Sequence, residues 1–305
     1  MKPLRSLLNV PGNRPEMIRK APSYGADALI IDLEDAVPSD RKVEARETVA
    51  AMLADWAGDA DAPITYVRVN GLDTGLLEVD LDAIVRPGLE GIQLPKAHDA
   101  EIVRRVDAAL VRLERERGLP PDSIEILVSL ESARGVLFAW EVVTAATRVG
   151  SVMVGTAQDA DLQGDVGYVT TPEGLETLHI RSHVVLAARA AGITNPIDGV
   201  YADHRDAAGL EVAARRAREL GYRGKKLIHP AQIEVVNRVF TPTERELWVH
   251  RRVLDAFEAA VAEGRATAVV DGRMIDVAMA DTARRVLAHA DAYRVRREPA
   301  RETAR

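Results

Sequence analysis

Short runs of β-branched and other apolar residues recur along the chain, each followed by a longer stretch of Ala, Leu, Arg and Glu with apolar positions at helical spacing. Eight such pairs can be counted, with strands predicted at 6–10, 28–33, 65–70, 91–95, 125–130, 151–155, 196–201 and 226–229. Several runs, among them ALIIDL and EILVSL, are continuously apolar rather than alternating, as expected of parallel strands covered by helices on one side and a packed interior on the other. Strand–helix repetition of this kind builds either a doubly wound open sheet or a closed barrel. Eight units without a Gly-rich dinucleotide fingerprint favour closure, so the expected fold is α/β, a TIM-type (β/α)8 barrel with additional C-terminal helices.

Past the eighth unit, Thr241 or Thr243 can cap a helix whose first turn carries Glu244 and Glu246 and which Gly264 ends. A short element at 267–270 and a final helix starting near Met279 are more than a minimal barrel needs, which suggests an interface or a lid. The expected division is a catalytic barrel at 1–265, a helical extension at 266–293 making an inter-subunit contact, and a flexible tail at 294–305 that lacks an apolar face.

The 305 residues suit one barrel plus such an appendage. An apolar fraction of 47% allows a sizeable core and argues against disorder. Forty Lys and Arg against 47 Asp and Glu leave a net charge of −7 and no basic stripe, which makes nucleic acid an improbable partner. With no cysteine, thiolate nucleophiles, disulfides and cysteine metal sites are excluded. The apolar run at the N-terminus is too short for a signal peptide, and no stretch approaches ~18 apolar residues, so a cytoplasmic location without membrane contact is expected.

Barrels of this kind hold their sites at the carboxyl ends of the strands. The polar residues there are Asp32, Glu34 and Asp35 after the second strand, Arg68 and Asn70 at the third, Lys96 after the fourth, Glu131 after the fifth, Asp159 and Asp161 after the sixth and His229 after the eighth. Carboxylates with a few cations at one mouth are what a hard divalent cation holding an anionic substrate requires. Singly, each has a plainer reading. Glu131 sits where a helix-capping carboxylate would, Lys96 is equally a solvent-facing loop residue, and His229 before Pro230 is more often a satisfied hydrogen-bonding group. Arg68, between Val67 and Val69, is harder to dismiss, because an inward guanidinium needs an anion. In VPGNRPEM, Gly12 and Asn13 turn the chain and Pro15 opens a helix; with Arg14 beside it, this is either a phosphate-binding helix start or an ordinary turn.

Taken in order, RSLLNVPGNRPEM, GADALIIDLEDAV, VRVN, GIQLPKA, SLESARGV, DLQGDVG, IHPAQI and DGRMIDVA resemble the citrate-lyase beta-subunit-like branch of the HpcH/HpaI aldolase family, from Arg5 to about Arg285. The resemblance implies a β/α barrel, homotrimeric or homohexameric assembly, and magnesium-dependent cleavage or formation of acyl-CoA thioesters of the malyl-, citramalyl- or citryl-CoA type. It makes Glu131 of SLESARG the first magnesium ligand, in contact with substrate, and Arg68 of VRVN a catalytic and substrate-binding residue. Relatives read G-x-E-D-L-x-x-D-L-G after the sixth strand, whereas this chain has GTAQDADLQGDVG, with two extra residues and alanine where glutamate is usual. Alignment on the D-L-x-x-D-x-G end makes Asp161 the second ligand; alignment on Gly155 would make it Asp159. The ungapped fit of DLQGDVG favours Asp161.

By the same resemblance Glu34 and Asp35 accept hydrogen bonds from metal-bound water, and Arg14, Lys96 and His229 are candidates for binding coenzyme A. DGRMIDVA is similar to the segment by which family lyases place a catalytic aspartate, here Asp276, over a neighbouring subunit's site, although Val277 and Ala278 stand where proline often follows. The expected reaction is a retro-Claisen or retro-aldol cleavage. Three other readings are a pyruvate aldolase acting on free hydroxy-keto acids, a citrate lyase beta subunit acting on an acyl-carrier thioester, and a non-catalytic binding protein.

Overall fold

In the computed structural model, which describes residues 4–295, eight parallel strands close into a barrel in sequence order. They are β1 (Ser6–Pro11), β2 (Ala28–Asp32), β3 (Thr65–Arg68), β4 (Gly91–Leu94), β5 (Glu125–Leu130), β6 (Val149–Val154), β7 (Ile197–Asp198) and β8 (Gly224–Leu227), with β8 pairing back onto β1. The intervening helices are α1 (Pro15–Lys20), α2 (Lys42–Trp56), α3 (Leu77–Ile84), α4 (Ala100–Arg117), α5 (Ala133–Leu137), α6 (Ala139–Val143), α7 (Asp161–Val166), α8 (Leu178–Ala190), α9 (Ala207–Leu220) and α10 (Ile233–Phe240).

The strand period of two sorts side chains into two cores. Leu8, Val10, Leu29, Ile31, Val67 and Ile92 face outward into the layer between barrel and helices. Leu7, Ala28, Ile30, Tyr66, Leu127, Met153 and Ile197 form a separate apolar plug inside. Above the plug the lumen turns polar. Register places Asp32 beside Arg68 and Arg68 beside Gln93, and all three point inward. The interior thus stops being hydrophobic at the carboxyl ends of the strands.

Most predicted strand bounds move by one or two residues at an end, and the seventh and eighth strands depart furthest. The seventh is only Ile197–Asp198, shorter than the expected 196–201 at both ends, and at its start Pro196 has no N–H to give a ladder. The eighth lies at Gly224–Leu227, two residues ahead of the expected 226–229. Its start requires glycine, because a Cβ at Gly224 would lie 2.2 Å from the Leu4 carbonyl oxygen. Its end is set by Gln232, whose side-chain oxygen accepts from the backbone N–H groups of Ile228 and His229 and pulls both out of the ladder.

A second compact unit begins at Thr241 and contains α11 (Glu244–Ala262), an antiparallel hairpin of β9 (Ala268–Val270) and β10 (Arg273–Ile275), and α12 (Val277–Val295). Thr243 caps α11 in a capping box with Glu246. The division falls before α11 and not at the expected 265, because Phe257 and Ala260 of that helix share a core with Ala268, Ile275 and Ala280. The segment expected to be a helical extension is thus a hairpin followed by a helix. Of the expected tail at 294–305, residues 296–305 lie outside the described residues. No helix among the described residues is long and apolar enough to cross a membrane.

Candidate active site

Asp32 ends β2 with its side chain buried in the lumen, and Arg68 ends β3 beside it. The guanidinium donates from Nε to Asp32 Oδ1 at 2.8 Å and from Nη2 to Asp32 Oδ2, while Nη1 faces Glu34 Oε2 at 2.7 Å and Asp35 Oδ2 at 3.3 Å. Burial disfavours both charges of the central pair. Each partner's field outweighs that cost, so the Asp32 carboxyl is held below the usual carboxylate range and the Arg68 pKa is raised. The inward arginine has its anion, and the anion is mainly Asp32.

Below them runs a chain of hydrogen bonds that the expected site did not include. Lys226 of β8 crosses the lumen to donate to Gln93 Oε1 at 3.1 Å, and Gln93 Nε2 donates to Ser129 Oγ at 2.7 Å. Burial, seconded by the Arg68 charge, pushes the Lys226 ammonium down to about 8. The signal for Gln93 was a polar side chain inside a short apolar strand, GIQL, whereas the two adjacent lysines of GKKL gave no such contrast. Lys42 is a second omission. Its ammonium donates to the carbonyls of Leu33 and Glu34 and to Asn70 Oδ1, which pins the loop carrying Glu34 and Asp35.

Glu131 directly follows β5. Its pKa is raised, first by burial and then by Asp161, and no hydrogen bond or ion pair engages its carboxylate among the described residues. Asp161 opens α7, and the two are tied through the backbone: Asp165, one turn along α7, accepts from the N–H of Ala133 at 2.6 Å, just after Ser132 caps α5. Glu131, Asp161 and Lys96 line one cavity of about 700 Å³, together with Leu72, Ile102, His98, Arg105 and others. Asp159 does not line it and sits exposed with left-handed backbone at φ 59°.

Among the described residues no three His, Asp or Glu side chains gather as a ready-made metal cage. Two carboxylates in one cavity lining, one of them half-buried and without a hydrogen-bonding or ion-pairing partner among the described residues, are nonetheless the donor set magnesium takes, since that ion keeps several waters and uses one or two protein carboxylates. The residues present fit such an ion. Arg14 and His229 do not line the cavity. Arg14 is exposed and pairs with Glu16 at 3.3 Å, and His229 caps the turn that follows it, its Nδ1 accepting from Ala231 N–H at 3.1 Å, with its ring 4.5 Å from that of His204. Asp276, in the second unit, accepts at Oδ1 from Met279 N–H at the start of α12.

Glu34 carries a pH signature. Burial pushes its carboxyl up to about 7, helped by Glu131 and Asp35 and opposed by Arg68 and Lys96. A folded-state pKa above the unfolded value of 4.5 means that the native protein holds a proton the unfolded chain has released. That contribution is complete below pH ~4.5 and is lost as pH rises through ~7, by about 3 kcal/mol at most. In EDTA, urea denaturation should show Glu34→Gln gaining on the wild type across this interval; parallel stability curves would place the Glu34 proton elsewhere.

Residues 5–230 match the HpcH/HpaI aldolase/citrate lyase family. The citrate lyase subunit beta of Leuconostoc mesenteroides subsp. cremoris is 36% identical over 289 residues, 94% of this chain and 93% of that protein. The (3S)-malyl-CoA thioesterase of Cereibacter sphaeroides (strain KD131) is 38% identical over 290 residues, 95% of each. Among solved structures, the protein CitE from Mycobacterium tuberculosis in complex with magnesium, acetoacetate and coenzyme A is similar with a TM-score of 0.73 at 29% identity, covering 94% of this chain and 98% of that one. The expected motif order, the closed barrel and alignments that run nearly from end to end agree: the chain belongs to the HpcH/HpaI aldolase/citrate lyase family.

Proposed function

We propose that this chain is a magnesium-dependent carbon–carbon lyase that cleaves or forms a hydroxy-acyl-CoA thioester. The observation that carries the reading is that Glu131 and Asp161 line one cavity together with Lys96, with the charges of Lys96 and Arg68 both felt at Glu131. Glu131 and Asp161 would hold the ion, and Glu131 would also meet the substrate. Bound there, magnesium supplies Lewis-acid polarisation and a template for a carboxylate and its adjacent oxygen. The cavity falls within the range used for ligands much larger than a small hydroxy acid, which suits a substrate with a long thioester handle.

Arg68 has five N–H groups, and Asp32, Glu34 and Asp35 face all but one on Nη2. It therefore supplies a rigid positive charge and one N–H where negative charge develops on the thioester enolate oxygen or on the keto-acid carboxylate. Glu34 and Asp35, held against Arg68, keep that charge in place and accept from ordered water. The relative named as a malyl-CoA thioesterase makes free coenzyme A a product to measure beside the acyl thioester. Incubation with magnesium and a panel of malyl-, citramalyl- and citryl-CoA, with products identified by mass spectrometry, tests the reading. Cleavage of free hydroxy-keto acids in preference to every thioester would replace it with a pyruvate-type aldolase.

Assembly as a homotrimer or homohexamer in the cytoplasm, with Asp276 exchanging a proton at the enolate carbon of a neighbouring subunit's substrate, completes the proposal. The hairpin supports it. Ala268 and Ile275 pair on its inner face, whereas Val269 and Met274 pair on the other and are exposed, as is Val277 just past Asp276. An apolar surface on both sides of a polar residue suits an intermolecular contact. Co-refolding inactive Asp276→Ala with inactive Glu131→Ala should restore part of the activity, because a mixed interface unites one chain's intact metal site with the other's intact Asp276. Mixed oligomers that form and stay inactive would confine Asp276 to its own chain or remove it from the reaction.

A further inference from the structure

Lys96 is anomalous in two ways at once. Its backbone is left-handed, at φ 52°, a conformation that costs any residue with a Cβ and that glycine would adopt freely. Its ammonium lies 3.5 Å from Glu34 Oε1 and 3.8 Å from Asp161 Oδ2, too long for a hydrogen bond to either and placed between both. Strain retained in a cavity wall marks a side chain held for its position.

Resting on the magnesium reading above, we propose that Lys96 is the resident counter-charge of the cation-free site: its ammonium bridges Glu34 and Asp161 and gives Asp161 up when a divalent cation arrives. An ammonium is a compact point charge with donors only, so it can neutralise a carboxylate pair without the fixed geometry that a guanidinium imposes. It also sits on a flexible stem, about two-fifths exposed, and can turn away without disturbing the barrel. The opposite arrangement holds for Arg68, whose fork is locked by buried Asp32 and cannot be displaced. One cation of the site is thus fixed and the other exchangeable. Released from Asp161, the ammonium is free to meet an anionic group of the incoming substrate, so loading the ion and preparing the substrate pocket become one event.

The test is magnesium binding alone, followed by calorimetry on the full chain after EDTA treatment. Lys96→Met and Lys96→Gly should both bind magnesium about fivefold more tightly than the wild type, the size expected when a partly exposed ion pair no longer competes. Lys96→Arg should bind close to wild type. Arg105→Met removes a cation from the same cavity wall that pairs with Glu78 at 3.4 Å and touches no proposed ligand, so its affinity should stay within twofold. Lys96→Gly relieves the left-handed strain and should melt no lower than Lys96→Met without metal, which keeps affinity apart from folding. Unchanged or weaker binding in both Lys96 variants overturns the exchange, and so does equal tightening by Arg105→Met, which would be a general field effect. A wild-type chain that binds no magnesium overturns the metal reading itself, and this proposal with it.

Discussion

Alanine at Glu131 or at Asp161 will abolish magnesium-dependent turnover while leaving the barrel folded, whereas alanine at Asp159 will be far milder. Electrostatic groups of this kind contribute ~3–4 kcal/mol to a transition state, so each of the first two losses should exceed ~100-fold. The fold survives because neither side chain is used to build it. Glu131 has no hydrogen-bonding or ion-pairing partner among the described residues, and Asp161 is exposed at the start of a short helix whose tie to α5 runs through Asp165. Removing the Glu131 charge from its half-buried position should, if anything, raise the melting temperature of the metal-free protein. Calorimetric magnesium titration beside steady-state rates checks both halves. Loss of metal binding in Asp159→Ala with retention in Asp161→Ala would reverse the register of the motif after β6.

Arg68→Lys will be nearly as damaging as Arg68→Ala in turnover, by ~100-fold or more, although it keeps the charge. The planar fork grips Asp32 at two points and presents its other edge to Glu34 and Asp35; an ammonium can satisfy one of these at a time. Stability should fall as well. Asp32 is fully buried, and breaking a buried pair by removing one partner costs ~3–5 kcal/mol, because the remaining carboxylate has lost its compensation. Asn9, which donates to Asp32 Oδ2 at 3.2 Å, recovers only part of it. Arg68→Ala/Asp32→Asn should therefore be more stable than Arg68→Ala alone while remaining inactive. A lysine variant with near-normal kinetics and a depressed melting temperature would assign Arg68 to structure only.

The strands and their order were legible because each is a local pattern. A continuously apolar run such as ALIID or EILVSL, closed by a polar residue and followed by a helical repeat, is visible over a window of ~11–18 residues. The carboxylates and cations of the mouth were visible for the same reason, as residues interrupting apolar runs at strand ends. Less came through where two neighbours shared a character. Lys225 and Lys226 are adjacent and alike in sequence, yet Lys225 pairs with Asp198 at 2.5 Å outside the barrel and Lys226 reaches Gln93 inside it.

The sequence alone determined the barrel and its order of elements, and it named Arg68, Glu131 and Asp161 as candidates for one site. Only the tertiary structure decided which charges answer which. Asp32 and Arg68 are 36 positions apart, Gln93 and Lys226 are 133 apart, and register across a closed sheet brings each pair together. It also separated Arg14 and His229 from the cavity and found the left-handed turn that leans Lys96 over it. Period and composition report what a segment buries. Which partner it meets there depends on barrel closure, a relation among eight strands that no single stretch of chain encodes.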